Sequence, residues 1–270
     1  MKIVSVQDIS CYGQCSLTVA LPVLSAYGIE TAILPSGILS THTGGFESFT
    51  VHDLTDEMPK IIEKWIEAGI KFDAIYTGYI GDARQFDMVL EMKKTLLKDG
   101  GKLIVDPAMA DHGKLYAALG PEIVDGMKKI AAAADLILPN LTEAAFLLGE
   151  EYKESYTKDE IEDMLKRLAD MGAECAILTG VSYSPDKLGA VAYTKATGEF
   201  TEYFAEYQPK SYHGTGDIFS SVAIAGYMND KPLSEVLEDA CEFIVKCIKK
   251  TMPDEEHWYG VKFEEVLAQR

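Results

Sequence analysis

The chain is poor in positive charge. Its 270 residues carry 25 lysines and arginines against 43 aspartates and glutamates, which gives a formal net charge of −18. Because nucleic-acid binding depends on basic side chains that neutralise phosphates, this balance excludes an extended nucleic-acid surface. A small anionic ligand, held by local backbone amides and a few lysines, is compatible with it. We therefore expect small-molecule partners and no nucleic acid.

Long apolar runs are also missing, and none reaches the roughly 18 residues that a membrane span needs. The first residues, Lys2 to Val6, are strand-forming and do not resemble the apolar core of a signal peptide. The five cysteines are an odd, scattered set that indicates neither a disulfide framework nor a zinc site. We expect a cytoplasmic protein with reduced thiols and no membrane contact.

Common nucleotide-binding and hydrolase motifs are absent too. The sequence contains no Gly-x-x-x-x-Gly-Lys-Ser/Thr loop, no Gly-x-Gly-x-x-Gly after its first strand, no His-Glu-x-x-His and no Gly-x-Ser-x-Gly. These absences argue against P-loop nucleotide binders, the usual dinucleotide fold, zinc proteases of the His-Glu-x-x-His type and hydrolases with a nucleophile elbow.

Strand-like and helical patterns alternate along the chain. Strands separated by helices of ten or more residues predict a parallel sheet with helices on both faces. We expect one α/β domain over residues 1–270, since no repeat or long linker divides it. The patterns predict strands at 2–6, 31–34, 73–76, 103–105, 136–138 and 176–178, and a hairpin of 189–193 with 200–204. They predict helices at 17–27, 83–97, 124–133, 141–148 and 158–171. A further helix is expected after residues 53–57, which should cap it, and two or three more helices at the end of the chain.

Polar residues and glycines fall just after these strands. In open α/β sheets, ligands bind outside the carboxyl ends of the strands, so these residues should gather along one edge. Tyr79 in this set either stacks on a planar ligand or packs in the core, and Thr43 lies in a polar, glycine-rich loop. The set comprises Asp8, Thr43, Tyr79, Asp106, Asn140, Thr179 and Gly180.

A turn with two glycines and an acid opens a helix late in the chain, at Gly214-Thr215-Gly216-Asp217. Glycines let the backbone approach a ligand, and the free amides of a helix start bind anions. An acid there fits a base that takes a proton from an attacking hydroxyl while the amides hold a phosphoryl group. The alternative is that Thr215 or Asp217 only caps the helix.

Acids follow two other strands. One or both of Asp106 and Asp111 hold Mg²⁺ through water against ATP phosphates, or the pair forms only a turn, since Asp before Pro often opens one. Asn140 and Glu143 have the spacing of a helix capping box. Glu143 can also act as a carboxylate beside a metal or phosphate, because a capped helix end is a rigid mount.

In this order and spacing, the motifs resemble the ribokinase-like superfamily, and within it the vitamin B6 branch of pyridoxal/pyridoxamine kinases. The Gly214-to-Asp217 turn and Asp106-Pro107 are typical of the superfamily, and His42-Thr43-Gly44 points to the B6 branch. The resemblance covers nearly the whole chain. It implies a three-layer α/β/α sandwich with a mostly parallel central sheet.

The resemblance also implies an activity, the ATP-dependent phosphorylation of the 5′-hydroxymethyl group of pyridoxal, pyridoxine or pyridoxamine. It implies a homodimer that uses Mg²⁺ and often a monovalent cation, K⁺ or Na⁺. In the implied roles, Asp217 is the catalytic base, and the anion hole is formed by Gly214, Thr215 and Gly216. The substrate is contacted by Asp8, Ser10, Thr43, Tyr79 and Asp217, and the metal by Asp106 and Glu143. ATP is contacted by Asp106, Asn140, Glu143, Thr179, Gly180, Gly214 and Gly216.

The first loop departs from the B6 pattern. Asp8 stands directly after Gln7, where typical B6 kinases carry a serine, and Ser10 follows two positions on. Either residue is a candidate substrate contact. An acid at this position is similar to the hydroxymethylpyrimidine kinases of thiamin synthesis, which are the alternative function. A non-catalytic B6-binding protein on the same fold is a further alternative, against which the presence of Asp217 argues.

Overall fold

Strands and helices alternate along the chain, as the sequence predicts. The structure, a computed structural model, describes residues 1–117 and 119–269. The strands are β1 Lys2–Ser10, β2 Glu30–Leu39, β3 Val51–Asp53, β4 Phe72–Thr77, β5 Leu97–Val105, β6 Ala110–Asp111, β7 Lys114–Leu115, β8 Leu136–Ile137, β9 Cys175–Ser184, β10 Lys187–Thr194 and β11 Glu199–Glu206. The helices are α1 Leu17–Ala26, α2 Met58–Glu67, α3 Arg84–Thr95, α4 Glu122–Ala131, α5 Leu141–Leu148, α6 Lys158–Asp170, α7 Thr215–Met228, α8 Leu233–Thr251 and α9 Phe263–Leu267.

Within the described residues, the strands build a nine-stranded sheet in the order β11-β10-β9-β8-β5-β4-β1-β2-β3, and β6 pairs with β7 separately. The strands from β2 through β1, β4, β5 and β8 to β9 pair in parallel. The outer pairs β2·β3, β9·β10 and β10·β11 are antiparallel. The predicted mostly parallel sheet is confirmed, and so is the hairpin that turns at Gly198, whose φ is 72°.

Each face of the sheet carries its own hydrophobic core. On β1, Ile3 belongs to the core beneath α1, α7 and α8, while its neighbour Val4 belongs to the core beneath α2 to α6. Successive strand side chains point to opposite faces, so a parallel strand covered on both sides is apolar at every position. The two cores and the sheet between them make the three-layer α/β/α sandwich.

The predicted helix cap at residues 53–57 is wrong. Asp53 ends β3, and its Oδ1 accepts a hydrogen bond from the Thr55 amide at 2.9 Å. Helix α2 begins later, at Met58, without a side-chain cap. A proline in its first turn favours this start, because the ring fixes φ near the helical value. Proline has no backbone N–H, and an N–H in the first turn would have no partner within the helix.

Helix α3 ends earlier than the sequence predicts, because the helical pattern continues to Leu97. The helix ends at Thr95, and Leu97 pairs with Phe72 as the first residue of β5. The strand then passes through Gly100, which has a φ of 74°. The register against β4 is irregular in this part of the strand, which is typical of a β-bulge. Sheet pairing therefore overrides local helix propensity here.

The parallel strands place their carboxyl ends on one edge, as expected. The sheet order changes direction around β1, because β2 lies on one side of it and β4 on the other. Ligands of open α/β sheets bind outside the strand ends at such a switch point. The backbone is tight there, since a Cβ on Gly78 would lie 2.5 Å from the Gln7 side chain.

Candidate active site

Helix α7 starts beside open space. Its N-cap residue, Gly214, has a φ of 79°, and a Cβ there would lie 1.8 Å from the Gln14 carbonyl oxygen, so only glycine fits. A Cβ on Gly216 would meet nothing within 4 Å. The first amides of a helix lack intrahelical partners and favour negative charge. An anion can therefore approach α7 at Gly216, as the sequence predicts.

Asp217 does not cap this helix. Its Oδ2 accepts a hydrogen bond from the Ser16 amide at 3.0 Å, across 201 residues of sequence. Thr215 donates its hydroxyl to the Tyr212 carbonyl oxygen at 3.1 Å, and no side chain caps α7. The capping alternative is thus wrong for both residues. The Asp217 carboxylate is instead anchored in front of the helix start and remains partly exposed.

The environment of Asp217 suits a base near neutral pH. Burial raises its pKa to about 7, the charge of Asp106 adds to the rise, the Ser16 amide opposes it, and Asp8 adds a smaller contribution. A general base works best when its pKa lies near the operating pH. The acids of β1, of the end of β5 and of the start of α7 therefore act on one another here.

Asp106 lies at the carboxyl end of β5, as expected, and is 7% exposed. Its Oδ2 accepts a hydrogen bond from the Ser220 hydroxyl of α7 at 2.6 Å. Burial raises the pKa of Asp106 to about 6, and the Ser220 hydrogen bond opposes that rise. Asp111 is exposed on the small β6–β7 ribbon, and its Oδ1 accepts from the adjacent His112 amide.

The predicted capping box is confirmed at the start of α5. Asn140 Oδ1 accepts from the Glu143 amide at 2.9 Å, and Glu143 Oε2 accepts from the Asn140 amide at 2.8 Å. The Met109 amide donates to Glu143 Oε1 at 3.2 Å. Burial, followed by the charge of Asp106, raises the pKa of Glu143 well above its usual range. The capped helix end thus holds a buried carboxylate beside Asp106.

Thr179 and Gly180 lie next to this helix start. The Thr179 amide donates to the Pro139 carbonyl oxygen at 2.9 Å, and Thr179 forms an isolated parallel bridge with Asn140. Gly180 has a φ of 74° and open space where a Cβ would stand. Asn140, Glu143, Thr179 and Gly180, four of the residues expected at ATP, are therefore brought together beside β8 and β9.

The donors in this region fit a magnesium ion held largely through water. Asp106 and Glu143 supply hard carboxylate oxygens, and the pKa of Glu143 is raised in part by the negative charge of Asp106, which a cation would relieve. No group of three or more His, Cys, Asp or Glu side chains in residues 1–117 and 119–269 could hold a metal ion. Magnesium usually keeps several waters, so two carboxylates suffice.

Asp8 and Ser10 belong to one hydrogen-bonded unit. Ser10 donates its hydroxyl to Asp8 Oδ2 at 2.9 Å, and both side chains are buried. Burial raises the pKa of Asp8. Burial and then the charge of Asp8 raise the pKa of Tyr79 to about 12. Asp8 therefore faces Tyr79 across the switch point, and Ser10 acts on the same carboxylate.

Sequence reasoning missed several residues of this edge. The charges of two of the acids act on the Cys15 thiol, since burial, then Asp217, then Asp8 raise its pKa well above the usual range. The Ser16 amide and the Ser220 hydroxyl hold the two acids on which the site depends. A cluster of small residues was visible at the start of α7, but nothing in the sequence indicated which acid Ser220 would meet.

The loop between α8 and α9, residues 252–262, was also missed. The Tyr259 carbonyl oxygen contacts His42 Nε2 at 2.9 Å, in the loop that carries Thr43, which is partly exposed. Trp258 packs on Phe46 with ring centroids 4.7 Å apart. The only sign of this loop in the sequence is a pair of adjacent aromatic residues before a glycine, Trp258-Tyr259-Gly260.

Comparison with known proteins agrees with this fold and site. The profile of the phosphomethylpyrimidine kinase family matches residues 24–261, so the chain belongs to that family. A Bacteroides thetaiotaomicron protein assigned to the phosphomethylpyrimidine kinases, in a crystal form with pyridoxal, is 38% identical with a TM-score of 0.95, over 99% of this chain and 94% of that one. The resemblance drawn from the motifs and the expected fold class are confirmed.

Two kinases are similar over most of their length. The Lactobacillus plantarum pyridoxal kinase structure is 30% identical with a TM-score of 0.89, over 99% of this chain and 95% of that one. The pyridoxal kinase of Dictyostelium discoideum is 26% identical over 270 residues, which cover 93% of this chain and 86% of that protein. Within the described part of this chain, no helix has the length and apolar character to span a membrane.

Proposed function

We propose that this chain is an ATP-dependent kinase that phosphorylates the 5′-hydroxymethyl group of pyridoxal, pyridoxine or pyridoxamine. The placement of Asp217 carries the proposal, because the Ser16 amide holds its carboxylate at the open start of α7. The relative crystallised with pyridoxal and the similarity to pyridoxal kinases support a B6 vitamer as the alcohol. We propose a single kinase domain over residues 1–270.

In the proposed reaction, Asp217 accepts the proton of the primary alcohol. The alcohol oxygen forms a bond to the γ-phosphorus of ATP, and the bond from that phosphorus to the bridging oxygen breaks, which releases ADP. The amides of residues 214–217 stabilise the negative charge on the phosphoryl oxygens in transit. The proton then leaves Asp217 for solvent, so the products are ADP, the phosphate ester and one proton.

At the nucleotide end, we assign Asp106, Asn140, Glu143, Thr179 and Gly180 to ATP binding. Asp106 and Glu143 would hold Mg²⁺ through water, and the ion, when bound, supplies charge neutralisation of the phosphates. Because burial and mutual repulsion raise the pKa of Glu143, the pair favours a bound cation over two isolated negative charges. A monovalent cation, K⁺ or Na⁺, is proposed on the resemblance alone.

At the alcohol end, we assign Asp8, Ser10, Thr43 and Tyr79 to the substrate. These residues offer one aromatic ring and a few polar groups, which suits a flat heterocycle with a hydroxymethyl group. A sugar would need more polar partners, since each unpaired buried polar group costs about 1–3 kcal/mol. We further propose a homodimer in the cytoplasm.

A second candidate is a hydroxymethylpyrimidine or phosphomethylpyrimidine kinase. The family match and the acid at position 8, buried and bonded to Ser10, favour it. Phosphorylation of hydroxymethylpyrimidine shares every step at Asp217 with the first candidate and differs in the heterocycle. A phosphomethylpyrimidine would instead attack through a phosphate oxygen, which has no alcohol proton for Asp217 to accept.

The test is ADP release with each alcohol as sole acceptor: pyridoxal, pyridoxine, pyridoxamine and hydroxymethylpyrimidine. We expect turnover with the B6 vitamers that exceeds the ATP hydrolysis measured without acceptor. Turnover with hydroxymethylpyrimidine alone would establish the second candidate. Tight pyridoxal binding with no ADP release from any acceptor would overturn the kinase proposal and favour a B6-binding protein.

A further inference from the structure

One carbonyl oxygen joins three loops at the active-site edge. The Tyr259 carbonyl oxygen accepts from the Gln14 amide at 3.3 Å and contacts His42 Nε2 at 2.9 Å. Gln14 follows β1, His42 follows β2, and Tyr259 lies between α8 and α9. We call the contacts among residues 11–14, 42–46 and 257–260 the clasp.

Close packing makes the clasp stiff. A Cβ on Gly45 would lie 2.9 Å from the Trp258 ring, and one on Gly13 would lie 2.1 Å from the His42 ring. Tyr12 and Tyr259 pack with ring centroids 4.7 Å apart. The three backbones therefore approach one another as closely as glycine allows. A shift of the 252–262 loop requires the other two loops to adjust.

The clasp reaches both halves of the proposed alcohol site. The Gln14 carbonyl oxygen lies against Gly214 at the anion turn, where a Cβ would be 1.8 Å away. On the other side, His42 directly precedes Thr43, and its ring faces His213 at a centroid distance of 4.9 Å. A movement of Tyr259 would therefore be transmitted to the phosphoryl end and to the heterocycle end of the site.

The hydrogen bonds of His42 fix its proton. The Gly44 amide can only donate, and it donates to Nδ1 at 3.2 Å. The Tyr259 carbonyl oxygen can only accept, so Nε2 must carry the hydrogen that points to it. Both contacts thus require the same neutral tautomer. A second proton on Nδ1 would oppose the Gly44 N–H and break that bond.

The surroundings of His42 oppose a positive charge. Burial and the facing His213 lower its pKa below the ordinary value of 6.5, and the Tyr259 carbonyl opposes them only in part. Tyr12 faces it from the first loop, where its carbonyl oxygen accepts the His42 amide at 3.2 Å. On the third loop and the start of α9, the charges of Lys262, Asp254 and Glu264 act on the ring of His257.

We propose that His42 is a positioning residue for the reaction, and that its neutral Nε2–H form holds the 252–262 loop as a wall of the alcohol site. Only the expected effect of His42 on turnover rests on the proposed kinase function. As pH falls through the pKa of His42, the clasp loosens, and the alcohol loses its site while ATP keeps the residues of the opposite end.

The first measurement needs no catalysis. The chain has two tryptophans, and Trp65→Phe leaves Trp258 as the reporter of the loop. In that background, acrylamide quenching of Trp258 should rise as pH falls below about 6.5. His42→Phe, which keeps a ring but no donor, should be strongly quenched at every pH. Trp258 is already 42% exposed in the intact clasp, so the readout is the change relative to the wild type at neutral pH. His42→Gln keeps an N–H donor that does not titrate, and its quenching should stay at that wild-type level at every pH.

The second measurement is steady-state kinetics on the same variants. His42→Phe should raise the pyridoxal KM about three- to tenfold, because this is the change expected when one buried hydrogen bond is lost. The ATP KM should be unchanged. His42→Gln should retain a low pyridoxal KM and lose the rise at acid pH. His52→Gln, which removes an exposed histidine on the neighbouring strand β3, is the matched control and should behave as wild type.

The two measurements separate the inference from the function. If no B6 vitamer is phosphorylated but quenching follows the expected pattern, the clasp stands and the proposed substrate class fails. Quenching of His42→Phe that matches wild type at every pH would overturn the inference even in an active kinase. An acid-dependent rise that persists in His42→Gln would also overturn it, since the titrating group would then lie elsewhere.

Discussion

The Ser220 hydroxyl donates to Asp106 Oδ2 at 2.6 Å, and both side chains are buried. Ser220 stands three residues after Asp217 on α7, so a single helix holds both the proposed base and an orienting donor for an acid at the nucleotide end. Hydrogen bonds to charged groups are stronger than neutral ones. The relative placement of Asp106 and Asp217 therefore depends on α7.

Ser220→Ala should lower kcat/KM for ATP about 10- to 150-fold, because a hydrogen bond to a charged group is worth about 1.5–3 kcal/mol. The matched control is Ser221→Ala. That hydroxyl donates to the Asp217 backbone oxygen at 2.6 Å and touches no carboxylate. Its kcat/KM should stay near wild type. Equal losses in both variants, measured by initial rates against ATP, would contradict a role for the Ser220–Asp106 bond.

Asp217→Ala should lower kcat by about 10²–10⁴-fold, the usual loss on removal of a general base, with little change in ATP affinity. The wild-type rate should rise with pH through about 7, where Asp217 loses its proton. Rates and nucleotide binding by calorimetry provide the measurement. A kcat within about threefold of wild type would rule out Asp217 as the base.

Asp217→Asn should stabilise the fold at neutral and alkaline pH. The pKa of Asp217 is raised from 3.8 to about 7 in the fold. Its contribution to stability is therefore complete below pH 3.8 and lost as pH rises through about 7. Because the side chain is partly exposed, we expect a gain on the order of 1–3 kcal/mol for the variant at pH 8.

Urea denaturation over a pH series measures this difference in the free energy of unfolding. Thr215→Ser, on the same turn and without a titrating group, is the control and should keep a constant difference from wild type. A gap between Asp217→Asn and wild type that does not widen between pH 4 and pH 8 would mean that the carboxylate is not strained by its surroundings.

Tyr79→Ala should raise the pyridoxal KM by removing an aromatic surface, and it should leave the ATP KM nearly unchanged. Loss of one stacking contact is worth about 0.5–1.5 kcal/mol, which is roughly a two- to twelvefold change. Tyr183→Ala, at an exposed aromatic on β9, is a suitable control. Loss of ATP affinity with pyridoxal affinity intact would mean that the two ends of the cleft are assigned in reverse.

The chain should sediment as a dimer, through helices on one face of the sheet, a prediction that rests on the resemblance. Sedimentation velocity at micromolar concentration should give a species of twice the 29.7 kDa chain mass. A single species at the chain mass would contradict the homodimer.

Local features of the site could be predicted because they depend on residues close in sequence. The Asn140–Glu143 box closes within four residues, and its spacing alone predicted both hydrogen bonds. The alternation of strands and helices predicted the layered sheet for the same reason, since periodicity is a local property. The position of Asp106 directly after β5 then followed from the rule that parallel strands end on one edge. Asp8, expected just after the first strand, lies inside it instead, because β1 continues to Ser10.

Contacts between distant residues could not be predicted in this way. The Ser220–Asp106 bond spans 114 residues, the Ser16–Asp217 bond spans 201, and the His42–Tyr259 contact spans 217. No periodicity links such positions. The failure at α3 has the same origin, because Leu97 joins the sheet only when β4 is present beside it.

The layered α/β architecture, the edge that carries the site and the identity of its acids can be read from the order of residues, because each follows from local patterns of apolar, polar and glycine residues. How those acids behave depends on the folded molecule. Burial and neighbouring charges from separate strands raise the pKa of Asp217 to about 7, and three loops far apart in sequence meet at the Tyr259 carbonyl. Dielectric environment and loop contact arise from packing, which exists only once the chain has folded.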